Sequence, residues 1–306
     1  MVKQIMKRLR SEKLPDILTV QTTALRVITN YMAKHRIPQI MPILLSPITD
    51  PLNHEVFEAE ISYYGQRLKL TKSITVHKPL VLMGELKAFY CFSPNIRLEI
   101  KQRARSGRHL IEFTQLEMEF KGYDKWQFMS FVEGLVKHII AKVKEECKEE
   151  LKHLGRKLTV PKGSFKVYES KEAVERHGPE FERALSEKAR EPFWLLDFKR
   201  EFYDREDKHR RGYYHNYDLV WPEGFCEALS GGEREYEYEE IVRKMKERGT
   251  NLTPYKHYLE LLKTGKVPKT SGGGLGIERL VRFLTGAKHI DEVTIFPRAP
   301  GKKIIL

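Results

Sequence analysis

The sequence predicts an α+β fold, an antiparallel β-sheet flanked by helices, and three stretches predict it. Residues 89–120, FYCFSPNIRLEIKQRARSGRHLIEFTQLEMEF, hold two strand-like runs joined by a basic loop. Residues 124–154 carry a long apolar stripe at helical spacing. Residues 271–286, SGGGLGIERLVRFLTG, place a glycine run directly before an amphipathic helix. A chain of 306 residues with 41% hydrophobic content can bury a substantial core. No apolar run approaches the ~20 residues that span a bilayer.

The elements follow in order. Over residues 19–34, Val20, Ala24, Val27, Ile28 and Tyr31 keep helical spacing. Pro38 and Pro42 then force an extended segment that runs to Pro47. Alternating runs over residues 54–71, broken at Gly65, read as antiparallel strands. In 89–120 an apolar run is expected to turn at Ser93-Pro94 and to deliver Arg97 and Glu99 on one face. The basic loop from Lys101 to His109 follows. In the second run Thr114, Leu116, Met118 and Phe120 form a face that can be core. The opposite face carries Phe113, Gln115, Glu117 and Glu119, an odd set to bury unless it meets a ligand.

Residues 124–154 read as one helix with Phe128, Val132, Leu135, Ile139 and Val143 inward, stopped by Gly155. Residues of about 155–190 read as a helical insertion within a single domain of residues 1–306, with helices near 171–176 and 179–189. Residues 192–202 and 217–221 read as strands, and residues 236–247 and 255–262 as helices. Glycines before Ile277 let backbone approach a ligand closely. On the helix that follows, Ile277, Leu280, Val281 and Leu284 make the buried stripe, which turns Arg279 outward toward an anion. The Gly-Lys-Ser/Thr of a phosphate loop is absent from this run.

The formal charge is +13. Three readings fit it: nucleic-acid binding, an electropositive cleft for small anions, and a Lys/Glu-rich thermophile surface. Three widely spaced cysteines, Cys91, Cys147 and Cys226, offer neither metal-ligand spacing nor a disulfide framework, which points to a reducing, cytoplasmic setting. The basic N-terminus has no apolar signal core.

Arg97-x-Glu99, Arg108-His109-Leu110 and Phe113-Thr114-Gln115 resemble motif 2 of the class II aminoacyl-tRNA synthetases, in the aspartyl/asparaginyl subgroup. The helix and proline-bearing strand of residues 19–47 resemble motif 1, which in that family makes a homodimer contact. Gly-Leu-Gly-x-Glu-Arg-Leu, with Ile290 and Phe296-Pro-Arg298, resembles motif 3. The resemblance implies roles. Arg97 contacts the α-phosphate of ATP; Arg108, His109 and Arg279 hold the γ-phosphate. Phe113, beside Leu110, stacks on adenine, and Glu99 reads its amino group. Glu227 and Ser230 hold Mg²⁺, whose preference for hard oxygen suits them. Arg97, Arg279 and Glu227 are thus the expected catalytic residues. Lys78 and Arg234 clamp an aspartate carboxylate, with Ser73, Gln115 and Glu117 nearby and Asp50 standing in for an acid that this chain lacks in the expected loop. Thr75 stands where the family often has Gln.

Because motif 1 begins near residue 19, the sequence leaves no room before it for the family's β-barrel anticodon-binding module. The motifs are most similar to archaeal asparagine synthetases related to asparaginyl-tRNA synthetase. That resemblance implies a ligase, a homodimer without membrane contact, that converts aspartate, ATP and ammonia to asparagine, AMP and pyrophosphate through a β-aspartyl-adenylate, with no tRNA needed. The alternative is a truncated paralogue that loads aspartate or asparagine onto a tRNA or another carrier.

Overall fold

The computed structural model describes residues 2–199 and 201–304. Helices α1 (Val2–Leu9) and α2 (Lys13–Lys34) lead into short strands β1 (Leu45–Ser46), β2 (Val56–Phe57), β3 (Glu60–Tyr63) and β4 (Gln66–Leu70). Then come α3 (Lys78–Val81), β5 (Ala88–Ile96), β6 (Leu98–Glu99), β7 (Glu112–Lys121), α4 (Lys125–Glu146) and α5 (Lys148–His153). The next group is β8 (Lys166–Glu169), α6 (Ser170–His177), α7 (Phe181–Lys188), β9 (Phe193–Leu196), β10 (Asn216–Trp221) and β11 (Cys226–Glu233). The chain closes with α8 (Tyr238–Glu247), α9 (Lys256–Lys263), β12 (Thr270–Gly276) and α10 (Ile277–Thr285).

A seven-stranded sheet in the order β5-β7-β12-β11-β10-β9-β8 organises the fold. Its ladders are antiparallel except β8 against β9. One face packs on α2, α4 and α10 through Leu116, Met118 and Phe120 of β7, Tyr217, Leu219 and Trp221 of β10, and Leu275 of β12. Asp124 caps α4 in a reciprocal pair with Gln127, which fixes where the helix starts. On the opposite sheet face an apolar cluster lies toward β9, where Phe193, Leu195 and Val220 meet Ala173 of α6. The expected α+β class, an antiparallel sheet flanked by helices, is the one observed.

Four local expectations change. Ser93-Pro94 makes no turn: β5 runs on to Ile96, with Pro94 opposite Thr114. An edge strand tolerates proline because one side of it owes no ladder hydrogen bond. The helix of residues 124–154 is two helices, broken at Cys147, whose ψ of 40° leaves the helical region. The strand of residues 192–202 ends at Leu196, because Asp197 takes a positive φ of 64°; Arg200 in that span lies outside the described residues. The segment of about 155–190 holds the two expected helices and also β8, an edge strand of the main sheet.

The glycine run is likewise strand rather than turn. Residues 270–276 are an interior strand of the sheet, between β7 and β11, and their glycines make room. A Cβ on Gly272 would lie 2.0 Å from Glu119 Oε2 and 2.3 Å from the Met118 carbonyl oxygen. Gly272→Ala is therefore expected to cost about 1–3 kcal/mol, since backbone cannot retreat as a flexible side chain can. Chemical denaturation reads this directly; unchanged stability would mean the sheet can part locally.

Candidate active site

The polar face of β7 is the floor of a cavity of about 320 Å³. Gln115 and Glu117 line it, Glu119 follows on the same face outside the lining, and opposite the three on β12 are Gly276, Gly274 and Gly272. Side chains at those glycines would fill the space the polar groups use: a Cβ on Gly274 would sit 2.7 Å from Gln115 Nε2 and 3.0 Å from Glu117 Oε1. So the strand that looked like a ligand loop works by being absent above its neighbours.

Three arginines converge at one end. Arg97, Arg108 and Arg279 all line the cavity, together with His109, Glu99 and Glu227. Arg97 is aimed by its Nε, which donates to the Lys72 carbonyl at 2.9 Å, and its guanidinium lies 5.0 Å from the Phe113 ring centroid. Arg279 Nη1 pairs with Glu227 Oε1 at 2.8 Å, and its Nε donates to the Arg108 carbonyl at 3.3 Å. Arg279 does leave the buried stripe of α10 as its spacing predicts. In this arrangement, though, the Glu227 carboxylate holds it, and Arg108 pairs with Glu182 of α7. Burial, then Arg279 and Arg108, push His109 down to about 3, so its ring is neutral at pH 7 and adds no positive charge here. Phe113, Leu110 and Glu278 wall an adjoining recess. Both Glu278 oxygens accept from the Thr114 N–H at 3.0 Å, which pins α10 to β7. Glu99 Oε1 contacts His54 Nε2 at 3.0 Å, while its buried Oε2 has no hydrogen-bond partner among the described residues.

At the other end lie Asp50, Ser73, Thr75 and Arg234. Asp50 Oδ2 accepts from the Ser73 hydroxyl and Oδ1 from the Tyr203 hydroxyl, each at 3.0 Å. Arg234 is tied down on one side: Nε and Nη2 donate to Glu119 at 3.1 and 3.3 Å, and Nη2 also donates to the Gly272 carbonyl at 2.9 Å. Its remaining edge lines the cavity. Lys78 departs from expectation. It is 1% exposed and does not line the cavity; its ammonium is bound by Glu117 at 2.8 Å and Glu119 at 3.2 Å. The clamp of two cations is here one cation, Arg234, with Lys78 neutralising the floor beneath it.

Glu227 and Ser230 are three residues apart, which on a regular strand would set them on opposite faces. The ladder slips between Leu219 and Val220: Leu219 pairs with Leu229 but Val220 with Glu227. The extra residue, Ala228, is a bulge that brings both side chains to the cavity. Asp218 is the register partner of Ser230 and lines the same cavity. Two carboxylates and a hydroxyl are the hard-oxygen set that Mg²⁺ prefers. Among the described residues no group of three acidic, imidazole or thiol side chains assembles to hold a metal alone. A magnesium ion here would therefore complete its shell with phosphate oxygens and water.

The sequence did not single out Asp218, Glu182, His54, Glu201, Tyr203 or Asp204. Asp218 was detectable as the lone acid of an apolar strand, YDLVW. The others come from loops and from the 155–190 segment, and carried no periodic signal. No helix among the described residues is long and apolar enough to cross a membrane.

Comparison with known proteins gives a consistent picture. The family described as tRNA synthetases class II (D, K and N) matches residues 1–300. An asparagine–tRNA ligase of Pyrococcus abyssi is 29% identical over 313 residues, covering 96% of this chain and 70% of its own. An aspartate–tRNA(Asp/Asn) ligase of Methanopyrus kandleri is 31% identical over 257 residues, 78% of this chain and 57% of its own. Among solved structures, asparaginyl-tRNA synthetase from Pyrococcus horikoshii complexed with asparaginyl-adenylate superposes with a TM-score of 0.86 at 25% identity, covering 97% of this chain and 71% of that one.

Proposed function

Because the chain belongs to the class II tRNA synthetases of the D, K and N group, we propose that it is an ammonia-dependent, AMP-forming asparagine synthetase. It converts aspartate, ATP and ammonia to asparagine, AMP and pyrophosphate through a β-aspartyl-adenylate. The observation that supports this most is one cavity with Arg97, Arg108 and Arg279 at one end and Arg234 among Asp50, Ser73 and Thr75 at the other. Two anions must meet for a carboxylate to attack the α-phosphate, and fixed cations are what lower that barrier.

Each residue has a task in this reading. Arg97 holds the α-phosphate oxygens and takes up the charge that grows on them. Arg108 and Arg279 leave Glu182 and Glu227 for the terminal phosphates, whose bidentate oxygens suit a guanidinium fork. Glu99 Oε2 accepts from the adenine amino group, and Phe113 stacks on the ring. Glu227, Asp218 and Ser230 would hold a Mg²⁺ ion, whose charge when bound would offset that of the pyrophosphate. Arg234 takes the aspartate α-carboxylate, Glu117 and Asp50 face its ammonium, and the β-carboxylate points at phosphorus. No enzyme nucleophile is required, only positioning. The buried, free state of all three cysteines fits a reducing, cytoplasmic setting. The exposed apolar side chains Met41, Ile43, Leu44 and Leu45 on the proline-bearing segment support a homodimer through that surface.

A second reading is that the chain loads aspartate or asparagine onto a tRNA, the reaction for which its asparagine–tRNA and aspartate–tRNA(Asp/Asn) ligase relatives are named; the net charge of +13 favours it. One assay decides. With ATP, Mg²⁺, aspartate and ammonium, and no RNA, stoichiometric asparagine and AMP are expected. Absence of asparagine together with aspartate-dependent labelling of RNA would replace the first reading with the second.

A further inference from the structure

The basic loop between β6 and β7 sends one more cation into the cavity beside Arg97, Arg108, Arg234 and Arg279. Residues Lys101–Ser106 form a 3₁₀-helix that ends at Gly107, whose φ is 67°. The Gly107 carbonyl accepts from the Ile290 N–H at 2.9 Å, which fixes that end of the loop. Three residues per turn set Arg103 over Ser106. The Ser106 hydroxyl is hydrogen-bonded to His109 Nδ1, and His109 lines the cavity. Arg103 therefore turns inward and lines the cavity too, while Lys101 and Arg105 of the same short helix are exposed.

The five arginines differ in how they are held. Arg108 pairs with Glu182, Arg279 with Glu227 and Arg234 with Glu119, while Arg97 donates to the Lys72 carbonyl. Among the described residues no hydrogen bond holds the Arg103 guanidinium. It has one ion pair, from Nε to Glu99 Oε2 at 3.9 Å, and 39% of its side chain is exposed. A pair that long and that open to water contributes little, so Arg103 gives it up at small cost. The partner oxygen is the buried one without a hydrogen bond, to which the adenine amino group is assigned. A base bound there supplies that oxygen with a donor and frees Arg103. The charge of Arg103 already reaches His109, alongside those of Arg279 and Arg108, which places it beside the end meant for the terminal phosphates. We propose that Arg103 swings from Glu99 onto the β- and γ-phosphates of bound ATP and lets go with the pyrophosphate. This rests on the cavity being an ATP site, and holds whether ammonia or a tRNA takes the acyl group.

The test is Arg103→Ala, with Arg105→Ala as the control that removes the same charge from the exposed side of the same loop. In titration calorimetry with Mg²⁺, ATP and inorganic tripolyphosphate are expected to bind Arg103→Ala about 10–100-fold more weakly than wild type, the scale of one charge-assisted contact. AMP, which lacks the terminal phosphates, should bind within about twofold of wild type. Arg105→Ala should bind all three as wild type does. Arg103→Lys should fall between, since an ammonium keeps the charge but not the planar fork. In aspartate-dependent pyrophosphate exchange KM for ATP should rise by the same factor while kcat changes less than about threefold, because the contact is made before the transition state as well as in it. An unshifted urea midpoint serves as the fold control. Wild-type ATP affinity in Arg103→Ala would overturn the proposal. So would equal losses for ATP and AMP, which would assign Arg103 to the base through Glu99. Equal losses in Arg103→Ala and Arg105→Ala would do the same, by reducing the effect to diffuse loop charge. Wild type that binds no ATP would instead remove the nucleotide-site reading, and this proposal with it.

Discussion

Arg97→Ala is expected to lower aspartate-dependent pyrophosphate exchange by about 10²–10³-fold, the scale seen when one fixed donor to developing charge is removed. The argument is geometric. Arg97 is half-buried, with its Nε committed to the Lys72 carbonyl and its plane over Phe113. One edge is thus anchored and the other faces the cavity with Gln115, whose Oε1 lies 3.4 Å from Nη2. A guanidinium held this way loses little entropy when it meets phosphate, so its contribution falls on the transition state rather than on ATP affinity. The loss should therefore appear in kcat. The folded state forfeits two hydrogen bonds, one of them long, and one ring contact, about 1–3 kcal/mol, which urea denaturation can resolve. A variant that exchanges pyrophosphate normally would remove Arg97 from the chemistry. One that fails to fold would show its role to be structural.

Lys78→Ala carries the second large effect, and it falls on stability. Lys78, Glu117, Glu119 and Arg234 form a buried chain of alternating charge, each member at most 3% exposed. Deleting one cation strands carboxylates that water cannot reach, at an expected cost of about 3–5 kcal/mol. Burial would push Glu119 up, but Arg234 and Lys78 outweigh it and hold its pKa below the ordinary carboxylate value. A depressed carboxyl contributes stability above its unfolded pKa that is lost as pH falls through the folded one. The variant should therefore lose most stability at neutral pH and converge on wild type in acid. Denaturant midpoints across that range measure it. Wild-type stability with weakened aspartate binding would mean that the Lys78 ammonium turns from Glu117 to the substrate. Lys78→Ala combined with Glu117→Gln should recover part of the loss, because the stranded charge goes too.

The strands and helices of the core were legible because burial imposes a period on the chain. Leu116, Met118 and Phe120 alternate with Gln115, Glu117 and Glu119, and that alternation is the difference between the core face and the cavity floor. Arg279 stands off the stripe of Ile277, Leu280, Val281 and Leu284 for the same reason. Spacing also misled. Seven residues of β12 rich in glycine resemble a loop, since glycine has no preference for a strand and its use here is to vacate space above Glu119 and Glu117. Pro94 resembled a turn until its place on a sheet edge was known.

By itself the sequence determined the antiparallel sheet, the helices behind it, and the order in which Arg97, Arg108, Glu227, Arg234 and Arg279 arrive. Those features are local: they follow from residue type and from a period of two or of about 3.6. Tertiary structure alone decided which charges meet. It brought Ser230 to the side of Glu227 through a bulge, closed Lys78 under two carboxylates, and set Glu182 against Arg108. Partners for a charged group are drawn from anywhere along the chain, 74 residues away for Arg108 and 39 for Lys78. An ion pair leaves no periodic trace in either of the segments it joins.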